Sequence, residues 1–276
     1  MSCAIDLKAK IRNIANQKSI PIQVVLQNYM FERLLVRLSK SEYKEKFILK
    51  GDYIVAAIVG LDNCETMVLD TVSKMLPLTT EAITEVFQKI CVIDSDDEIT
   101  FDISNVTPIL DDDIYKGHRV VLNAKSDTMV TSLFADVFAV DSITSNHIEY
   151  TVSEIFDNKK SYRLWSYNIE TIIAEKVEKI LRHGELNACP RDFYDTYILA
   201  TTQRFDKLLF TEALKITFSH RGTTEQILDI PGIMKDIKES VDLQAMWEKY
   251  REQFAHAERI KYTDIMKVLN NLLTWF

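Results

Sequence analysis

The sequence contains little glycine, proline or cysteine, and it has no long apolar run. Of its 276 residues, six are glycine, five are proline and four are cysteine. The low glycine and proline content, together with 47% hydrophobic residues, excludes a disordered or low-complexity chain and predicts a folded globular protein. No apolar stretch approaches the roughly 20 residues that a membrane-spanning helix requires. We therefore expect a protein without transmembrane segments.

The cysteines and histidines form no pattern typical of a zinc site or of a disulfide-stabilised small fold. The four cysteines lie far apart, without a CxxC pair, and the five histidines show no HxxxH spacing. Three charged residues, Asp6, Lys8 and Lys10, lie among the first ten positions, where an export signal would need an apolar stretch. The sequence therefore predicts a cytoplasmic protein with reduced thiols.

The net charge is −8, which is the wrong sign for a dedicated nucleic-acid-binding protein. This balance disfavours broad affinity for DNA. It still leaves room for a local basic groove or for a basic partner protein.

The hydrophobic pattern changes from mixed α/β to almost wholly helical near residue 160. We predict an α+β fold, with an α/β domain at 1–160 and an all-helical domain at 161–276. In the first part, helices are expected at 6–40, 52–59 and 79–91, with Asp52 as the N-cap of the second. Strands are expected at 67–71, 98–106, 119–124, 133–138 and 147–152. The last four of these strands are expected to form an antiparallel meander. In the second part, helices are expected at 168–182, 191–201, 207–219, 242–254 and 263–276.

Two single acids interrupt apolar strands and are candidates for a shared site. Asp70 follows Met67-Val68-Leu69, and Asp136 lies within Leu133-Phe134-Ala135-Asp136-Val137-Phe138. A carboxylate inside an apolar strand costs free energy unless it is paired or binds a metal. Each could instead be an edge residue or a buried, hydrogen-bonded aspartate. A second metal-binding carboxylate would belong at position 68, on the same face as Asp70, but Val68 stands there.

The segment Lys50-Gly51-Asp52 lies between an apolar run and a predicted helix. A glycine at a helix N-terminus leaves backbone N–H groups able to meet a phosphate, although a plain turn explains the same residues.

Four further groups of charged residues have both a functional and a structural interpretation. Lys176 falls on the apolar stripe of its predicted helix, where it would either reach out to solvent or serve an anionic partner. Asp192 and Asp195 share a helix face after Pro190 and Arg191, where acids also favour the helix dipole. The acidic runs 94–98 and 111–113 fit solvated turns better than metal sites. Lys159, Lys160 and Arg163 could contact a nucleic-acid backbone, but they fit a solvated linker better.

Taken in order, these segments resemble the AbiEii/AbiGii-type nucleotidyltransferase toxins of type IV toxin–antitoxin systems. The resemblance rests on Phe47-Ile48-Leu49-Lys50-Gly51, Met67 to Thr71, Ala135-Asp136-Val137, Ala174-Glu175-Lys176, Arg191 to Asp195, His220 to Thr223 and Trp247 to Tyr250. It implies a polymerase-β-like nucleotidyltransferase domain followed by a helical domain. It also implies Mg²⁺, a nucleoside triphosphate substrate, an acceptor such as tRNA, a cognate antitoxin encoded alongside and a role in abortive infection, a form of phage defence.

The resemblance also implies roles for individual residues. Lys50, Gly51 and Arg191 would bind the nucleotide, and Asp70 and Asp136 would bind the metal. Lys176, Asp192 and Asp195 would complete the catalytic set, with Asp136 also activating the acceptor hydroxyl.

Three positions depart from the family's pattern, which usually has glycine at position 52, arginine at 64 and aspartate at 68. Asp52, Cys64 and Val68 respectively add a negative charge, remove a cation and remove a metal ligand. A degenerate, catalytically weak member that binds its antitoxin is therefore the alternative function.

Overall fold

The computed structural model describes residues 3–18, 20–60, 68–109, 117–139 and 147–276. These residues form two compact units: the described residues up to 139 together with His147–Tyr167, and Asn168–Phe276. The first unit combines helices with one sheet, and the described elements of the second are helical. The α+β fold class is confirmed.

The first unit contains four α-helices and seven strands in its described residues. The helices are α1 (Cys3–Lys18), α2 (Ile22–Lys40), α3 (Gly51–Val59) and α4 (Thr80–Cys91). The strands are β1 (Phe47–Lys50), β2 (Leu69–Ser73), β3 (Thr100–Ile109), β4 (Gly117–Ser126), β5 (Met129–Ala139), β6 (His147–Glu154) and β7 (Asp157–Tyr167).

All seven strands belong to one mixed sheet in the order β3-β4-β5-β2-β1-β7-β6. The antiparallel meander predicted from the sequence is present only in part. Strands β3, β4 and β5 are antiparallel neighbours, as are β6 and β7. However, β2 is inserted beside β5 in parallel, and β1 pairs with β7 in parallel. This insertion brings the two acid-bearing strands into contact.

Strand β7 was missed by sequence reasoning, and the linker interpretation of its residues was wrong. Lys159, Lys160 and Arg163 all lie within β7, and Arg163 forms an ion pair with Glu149 of β6 at 3.2 Å. The strand begins with the polar run Asp157-Asn158-Lys159-Lys160, which hides its alternation. Strand β7 also continues through residue 160, the predicted domain boundary, and the two compact units divide after Tyr167.

One face of the sheet packs on helices α2 and α4, and α1 packs on α2, to form the core of the first unit. Alternate residues of the central strands are buried in this core: Val120, Leu122, Ala124, Leu133, Ala135 and Val137. Because successive side chains of a strand point to opposite faces, Arg119 and Asp136 belong to the other face.

Helix α3 starts one residue earlier than predicted, and its N-cap is Lys50 instead of Asp52. Asp52 lies in the first turn, where a carboxylate interacts favourably with the helix dipole. The predicted N-cap role of Asp52 is therefore wrong.

The acidic turn before β3 is a structural feature, as the solvated-turn interpretation partly anticipated. Asp97 accepts two hydrogen bonds from the guanidinium of Arg37 in α2, at 2.6 and 3.0 Å, and its side chain is 9% exposed. Burial alone would raise the pKa of Asp97, but Arg37 and Ser95 outweigh it and lower the pKa. This turn thus ties α2 to the start of β3.

The second unit contains six α-helices in its described residues. These are α5 (Ile169–His183), α6 (Pro190–Thr202), α7 (Lys207–His220), α8 (Ile230–Glu239), α9 (Val241–Gln253) and α10 (Tyr262–Leu273). Sequence reasoning missed α8, since Pro231 and Gly232 lie in its first turn and look like a loop. Proline is well tolerated there because the first helical N–H groups have no intrahelical partner.

In the part of the chain that the structure describes, no helix is both long enough and apolar enough to cross a membrane.

A buried carboxyl group in α2 makes the stability of the first unit depend on pH. Glu32 is 1% exposed and accepts hydrogen bonds from Arg33 at 2.7 Å and from the backbone N–H of Ile155 at 2.5 Å. Burial raises its pKa from 4.5 to about 7, although Arg33 and Ile155 oppose the rise. Because the folded-state pKa is the higher one, Glu32 favours folding most below pH 4.5, and this contribution is lost as the pH rises through about 7.

We expect Glu32→Gln, which cannot ionise, to gain stability relative to the unmodified chain as the pH rises. The difference between their free energies of unfolding should change by on the order of 3 kcal/mol between pH 4.5 and pH 8. Denaturant unfolding at several pH values measures this, with the exposed Glu248→Gln as control. Parallel pH profiles for Glu32→Gln and the unmodified chain would contradict the assignment.

Candidate functional site

Four charged residues lie side by side across four adjacent strands of the sheet. Arg119 of β4 is the register partner of Asp136 in β5, Asp136 is the partner of Asp70 in β2, and Asp70 is the partner of Lys50 in β1. We call Arg119, Asp136, Asp70 and Lys50 the charged row. Register partners in neighbouring strands present their side chains on the same face. The structure therefore brings together the two lone acids that the sequence singled out.

The order of charges along the row offsets the repulsion between its two acids. Asp70 and Asp136 lie on strands about 4.8 Å apart, and like charges placed directly opposite one another are destabilising. A cation flanks each acid on the outer side. The sheet register thus sets two carboxylates between an arginine and a lysine.

The pair between Arg119 and Asp136 has bidentate geometry. The Nε and Nη2 groups of Arg119 donate to the two carboxylate oxygens of Asp136 at 2.8 and 2.7 Å. The Asp136 side chain is 7% exposed, whereas that of Arg119 is 44% exposed. The guanidinium therefore lies at the surface of the site and engages both oxygens of the acid below it.

Asp70 packs against the backbone of Gly51 at the start of α3. A Cβ built on Gly51 would overlap Oδ2 of Asp70 and would lie 3.0 Å from its Cγ. Gly51 also has a φ of 68°, a conformation that favours glycine. Glycine is thus required at this position both by backbone conformation and by the approach of the carboxylate.

Lys50 is 8% exposed, and its Nζ lies 4.9 Å from the ring centroid of Phe138, two residues beyond Asp136. This cation–π contact places the ammonium group on the same face of the sheet as the two acids. Lys50 and the first turn of α3 therefore provide positive charge and backbone N–H groups beside Asp70, while Asp52 adds a negative charge in that turn.

Magnesium is usually held by one or two carboxylates, with substrate phosphates and water as the other ligands. Asp70 can supply one carboxylate. Asp136 already engages Arg119 through both oxygens, and Val68 has no ligand atom. Among the described residues, no three His, Cys, Asp or Glu side chains form a metal-binding group. The residues present fit one magnesium ion completed by substrate oxygens, and they do not fit a two-metal cluster.

Two parts of the sequence prediction lie outside the described residues. Cys64 and the acidic run 111–113 fall in the undescribed segments 61–67 and 110–116. Val68 directly precedes β2, so the predicted strand at 67–71 begins at Leu69 instead.

The second unit contains the other predicted site residues in a buried cluster between α5 and α6. The ammonium of Lys176 lies 2.9 Å from Asp195 and 3.2 Å from Asp192. Lys179 lies 2.9 Å from Asp192, and Arg191 lies 3.6 Å from Asp195. We call Lys176, Lys179, Arg191, Asp192 and Asp195 the α5–α6 cluster. It contains one more cation than carboxylates.

Burial and charge within this cluster act in opposite directions on its acids. The side chains of Asp192 and Asp195 are 2% and 0% exposed. Burial raises the pKa of Asp192, but Lys176 and Lys179 outweigh burial and leave the pKa below its ordinary value. The two aspartates are therefore more than caps for the first turn of α6, since they hold lysines of α5 in place.

The segment at 220–223 supports a separate buried network around Glu178. Glu178 lies 3.3 Å from Arg221 and 3.4 Å from Arg182, and it accepts a hydrogen bond from Thr223 at 2.9 Å. The buried Trp247 donates its indole N–H to the carbonyl of Ile260 at 3.0 Å. These contacts join helices within the second unit, so both segments have a structural role.

Sequence reasoning missed Arg119 and Lys179 as partners of the predicted acids. A signal for Arg119 was present, because it alternates with the apolar residues Val120, Leu122 and Ala124 of β4 and so shares the face of other non-core residues. The pairing of Arg119 with Asp136 could not be predicted from the sequence, because it depends on the register between β4 and β5.

The fold is similar to that of several solved structures. A presumed nucleotidyltransferase from H. pylori matches with a TM-score of 0.50 and 14% identity, over 93% of this chain and 94% of that one. JHP933 from Helicobacter pylori matches with a TM-score of 0.49 and 14% identity, over 91% and 92% of the two chains. An antigenic nucleotidyltransferase-like protein from Paracoccidioides brasiliensis has a TM-score of 0.44 and 12% identity, over 74% and 92%.

The match to the H. pylori structure with the TM-score of 0.50 supports a nucleotidyltransferase-like fold. The family model of the AbiEii nucleotidyl transferase toxins of type IV toxin–antitoxin systems matches residues 33–270. The chain belongs to this family. No curated protein matches it.

Gly51→Ala tests the contact between α3 and Asp70. The new Cβ would displace the Asp70 carboxylate and would also strain the backbone, whereas Gly222→Ala adds strain at a similar φ of 66° with no atom within 4 Å. Each variant should lose about 1–2 kcal/mol from the backbone conformation, and Gly51→Ala should lose more. Denaturant unfolding measures the free energy of unfolding of both variants. Equal losses in the two would contradict this prediction, since the overlap between the new Cβ and the Asp70 carboxylate would then cost nothing.

Proposed function

We propose that this chain is a toxin that transfers a nucleotide from a nucleoside triphosphate to an RNA acceptor such as tRNA. The observation that carries the proposal is the charged row, in which Asp70 and Asp136 are register partners between Lys50 and Arg119. Family membership supports the reaction type.

In this proposal, Lys50 and the backbone at Gly51 bind the triphosphate through charge and N–H groups. Asp70 would hold one Mg²⁺, which when bound supplies Lewis acidity and neutralises phosphate charge. Because Arg119 engages both oxygens of Asp136, we assign Asp136 to holding Arg119 instead of activating the acceptor hydroxyl.

The α5–α6 cluster of the second unit would bind an anionic group. Its excess positive charge is the property that favours phosphate, and its buried acids fix the direction of Lys176. We assign nucleotide binding to Arg191, and we assign positioning of Lys176 to Asp192 and Asp195.

We further propose that the protein acts in the cytoplasm and is held inactive by a cognate antitoxin encoded alongside it. Release of the toxin during phage infection would then halt growth of the infected cell. Type IV toxin–antitoxin membership supports the partner.

A second candidate function is a catalytically weak family member that binds its antitoxin. Two observations favour it. Val68 provides no metal ligand beside Asp70, and Asp52 places a negative charge in the helix turn that would receive a phosphate. Both changes lower the stabilisation of a reacting triphosphate.

The transfer proposal predicts incorporation of label from a nucleoside triphosphate into cellular RNA, and growth arrest on expression of the chain. Asp70→Asn should lower the transfer rate on the order of 100-fold, equivalent to about 2.7 kcal/mol, because it removes the remaining metal carboxylate. Asp102→Asn is a matched control on the edge strand β3 of the same sheet, where Asp102 pairs with Lys125. The absence of both transfer and growth arrest would reject the transfer proposal.

The second candidate is separated from the first by restoring the family's residues. If Asp52→Gly, Cys64→Arg and Val68→Asp together make a harmless chain toxic, the unmodified chain is a weak member. A parent chain that is already as toxic as the restored one would exclude this candidate.

A further inference from the structure

A cavity of about 510 Å³ lies between the helices of the first unit and the edge strand β6. Residues of α1, α2, α3 and β6 line it, among them Asn28, Glu32, Tyr150 and Glu154. Pockets that hold small molecules usually have volumes of roughly 300–1,000 Å³. Val152 on the cavity wall belongs to the core of the first unit, whereas the charged row lies on the other face of the sheet. The cavity is therefore separate from the candidate nucleotide site.

The side chain of Asn28 contains a buried hydrogen-bond acceptor that is not satisfied. Asn28 is 1% exposed, and its Nδ2 group donates to the carbonyl of Val24 at 2.8 Å. Its Oδ1 atom has no hydrogen-bond partner among the residues that the structure describes. Such an acceptor is unfavourable, because it has lost contact with water without gaining a donor. Since Asn28 lines the cavity, a molecule bound there can supply this donor.

Two carboxyl groups of the same cavity share one buried cation. The Nη2 atom of Arg33 lies 2.7 Å from Glu32 and 2.8 Å from Glu154. Lys18 also lines the cavity, but it is exposed, so solvent screens its charge. Burial raises the pKa of Glu32 to about 7 even though Arg33 opposes the rise. One arginine thus does not fully offset the cost of burying these acids.

The unsatisfied acceptor and the shortage of positive charge occur next to one another. Asn28 and Glu32 are four residues apart in α2 and therefore share a helix face. Guanidinium and ammonium groups carry a positive charge, donate several hydrogen bonds and have no acceptor atom. The cavity wall also contains Ile14, Ala57 and Val152, whose apolar side chains suit the carbon chain of such a ligand.

We propose that this cavity binds an organic cation, either an alkylguanidinium or an alkylammonium group, through Asn28, Glu32 and Glu154. The group belongs either to a free small molecule or to an arginine or lysine side chain of a bound protein. The two sources share the same chemistry, and they differ in the atoms attached to the carbon chain.

The proposal makes binding depend on pH, because a bound cation favours the ionised form of Glu32. The groups around Glu32 are Arg33 of α2, Lys18 of α1, Tyr53 of α3, Glu154 of β6 and Tyr162 of β7. Arginine stays charged at neutral pH, and burial raises the pKa of Tyr162 further above that range. Affinity for the cation should therefore rise as the pH increases through about 7, where Glu32 ionises.

Calorimetric titration of the full chain with agmatine, putrescine and N-acetyl-arginine amide tests the proposal. Agmatine and putrescine represent free molecules, whereas the blocked arginine represents a protein side chain. The titrations use an ionic strength of about 0.15 M, which screens exposed charges. We expect at least one probe to bind with a stoichiometry of one, on the order of tenfold more tightly at pH 8 than at pH 6. The probe that binds most tightly identifies the source of the cation.

Three variants locate the binding. Glu32→Gln should lower the affinity at pH 8 on the order of tenfold and should remove its dependence on pH. Glu149→Gln is the matched control, because it also removes one negative charge from the first unit, but Glu149 pairs with Lys44 and Arg163 and does not line the cavity. Ala57→Phe fills the cavity without removing a polar group and should abolish binding. Circular dichroism identifies variants that do not fold.

The absence of binding by every probe at both pH values would overturn the proposal, since the cavity would then hold only solvent. Binding that Ala57→Phe leaves unchanged would also overturn it, as would equal weakening by Glu32→Gln and Glu149→Gln. If one of the variants Glu32→Gln and Ala57→Phe does not fold, the other decides together with the pH dependence of the unmodified chain. No triphosphate is used, so the result is independent of the proposed function.

Discussion

The parallel pairing of β2 with β5 is the constraint on which the candidate site depends. It makes Asp70 and Asp136 register partners, so two carboxylates lie side by side on one face of the sheet. Their repulsion must be offset, and the neighbouring strands supply a cation on each side: Arg119 from β4 and Lys50 from β1. The close approach of Asp70 to the first turn of α3 then requires glycine at position 51. Sheet register, glycine placement and charge order are thus consequences of one strand pairing.

In the second unit, buried charges are also paired with opposite charges, but the paired residues lie on helices instead of strands. Buried charges are tolerated only when they are paired, and the α5–α6 cluster pairs each of its acids with more than one cation. Unlike the charged row, this cluster carries an excess of one positive charge. Its acids hold the amino group of Lys176 in a fixed position, which is the property that recognition of a phosphate requires.

The sequence allowed the α+β fold class, most helices and the acids Asp70 and Asp136 to be predicted, because an isolated charge in an apolar strand is a local signal. The partners of those acids depend on register. The predicted meander placed β4 beside β5, but it did not give the register that joins Arg119 to Asp136. It also gave no sign that β2 is inserted in parallel on the other side of β5. Strand β7 was missed because it starts with four polar residues, and α8 because Pro231 and Gly232 resemble a loop. Local pattern identifies the components, and tertiary pairing decides which of them meet.

The central claim is that the charged row is a nucleotide site with room for one magnesium ion. Isothermal titration calorimetry with each of the four ribonucleoside triphosphates, in magnesium and in EDTA, tests it most directly. The account predicts binding of at least one triphosphate with a stoichiometry of one, strengthened by magnesium and weakened when Lys50 is replaced by Met. Absence of heat with every triphosphate in both buffers, or binding that is unchanged by Lys50→Met, would contradict it.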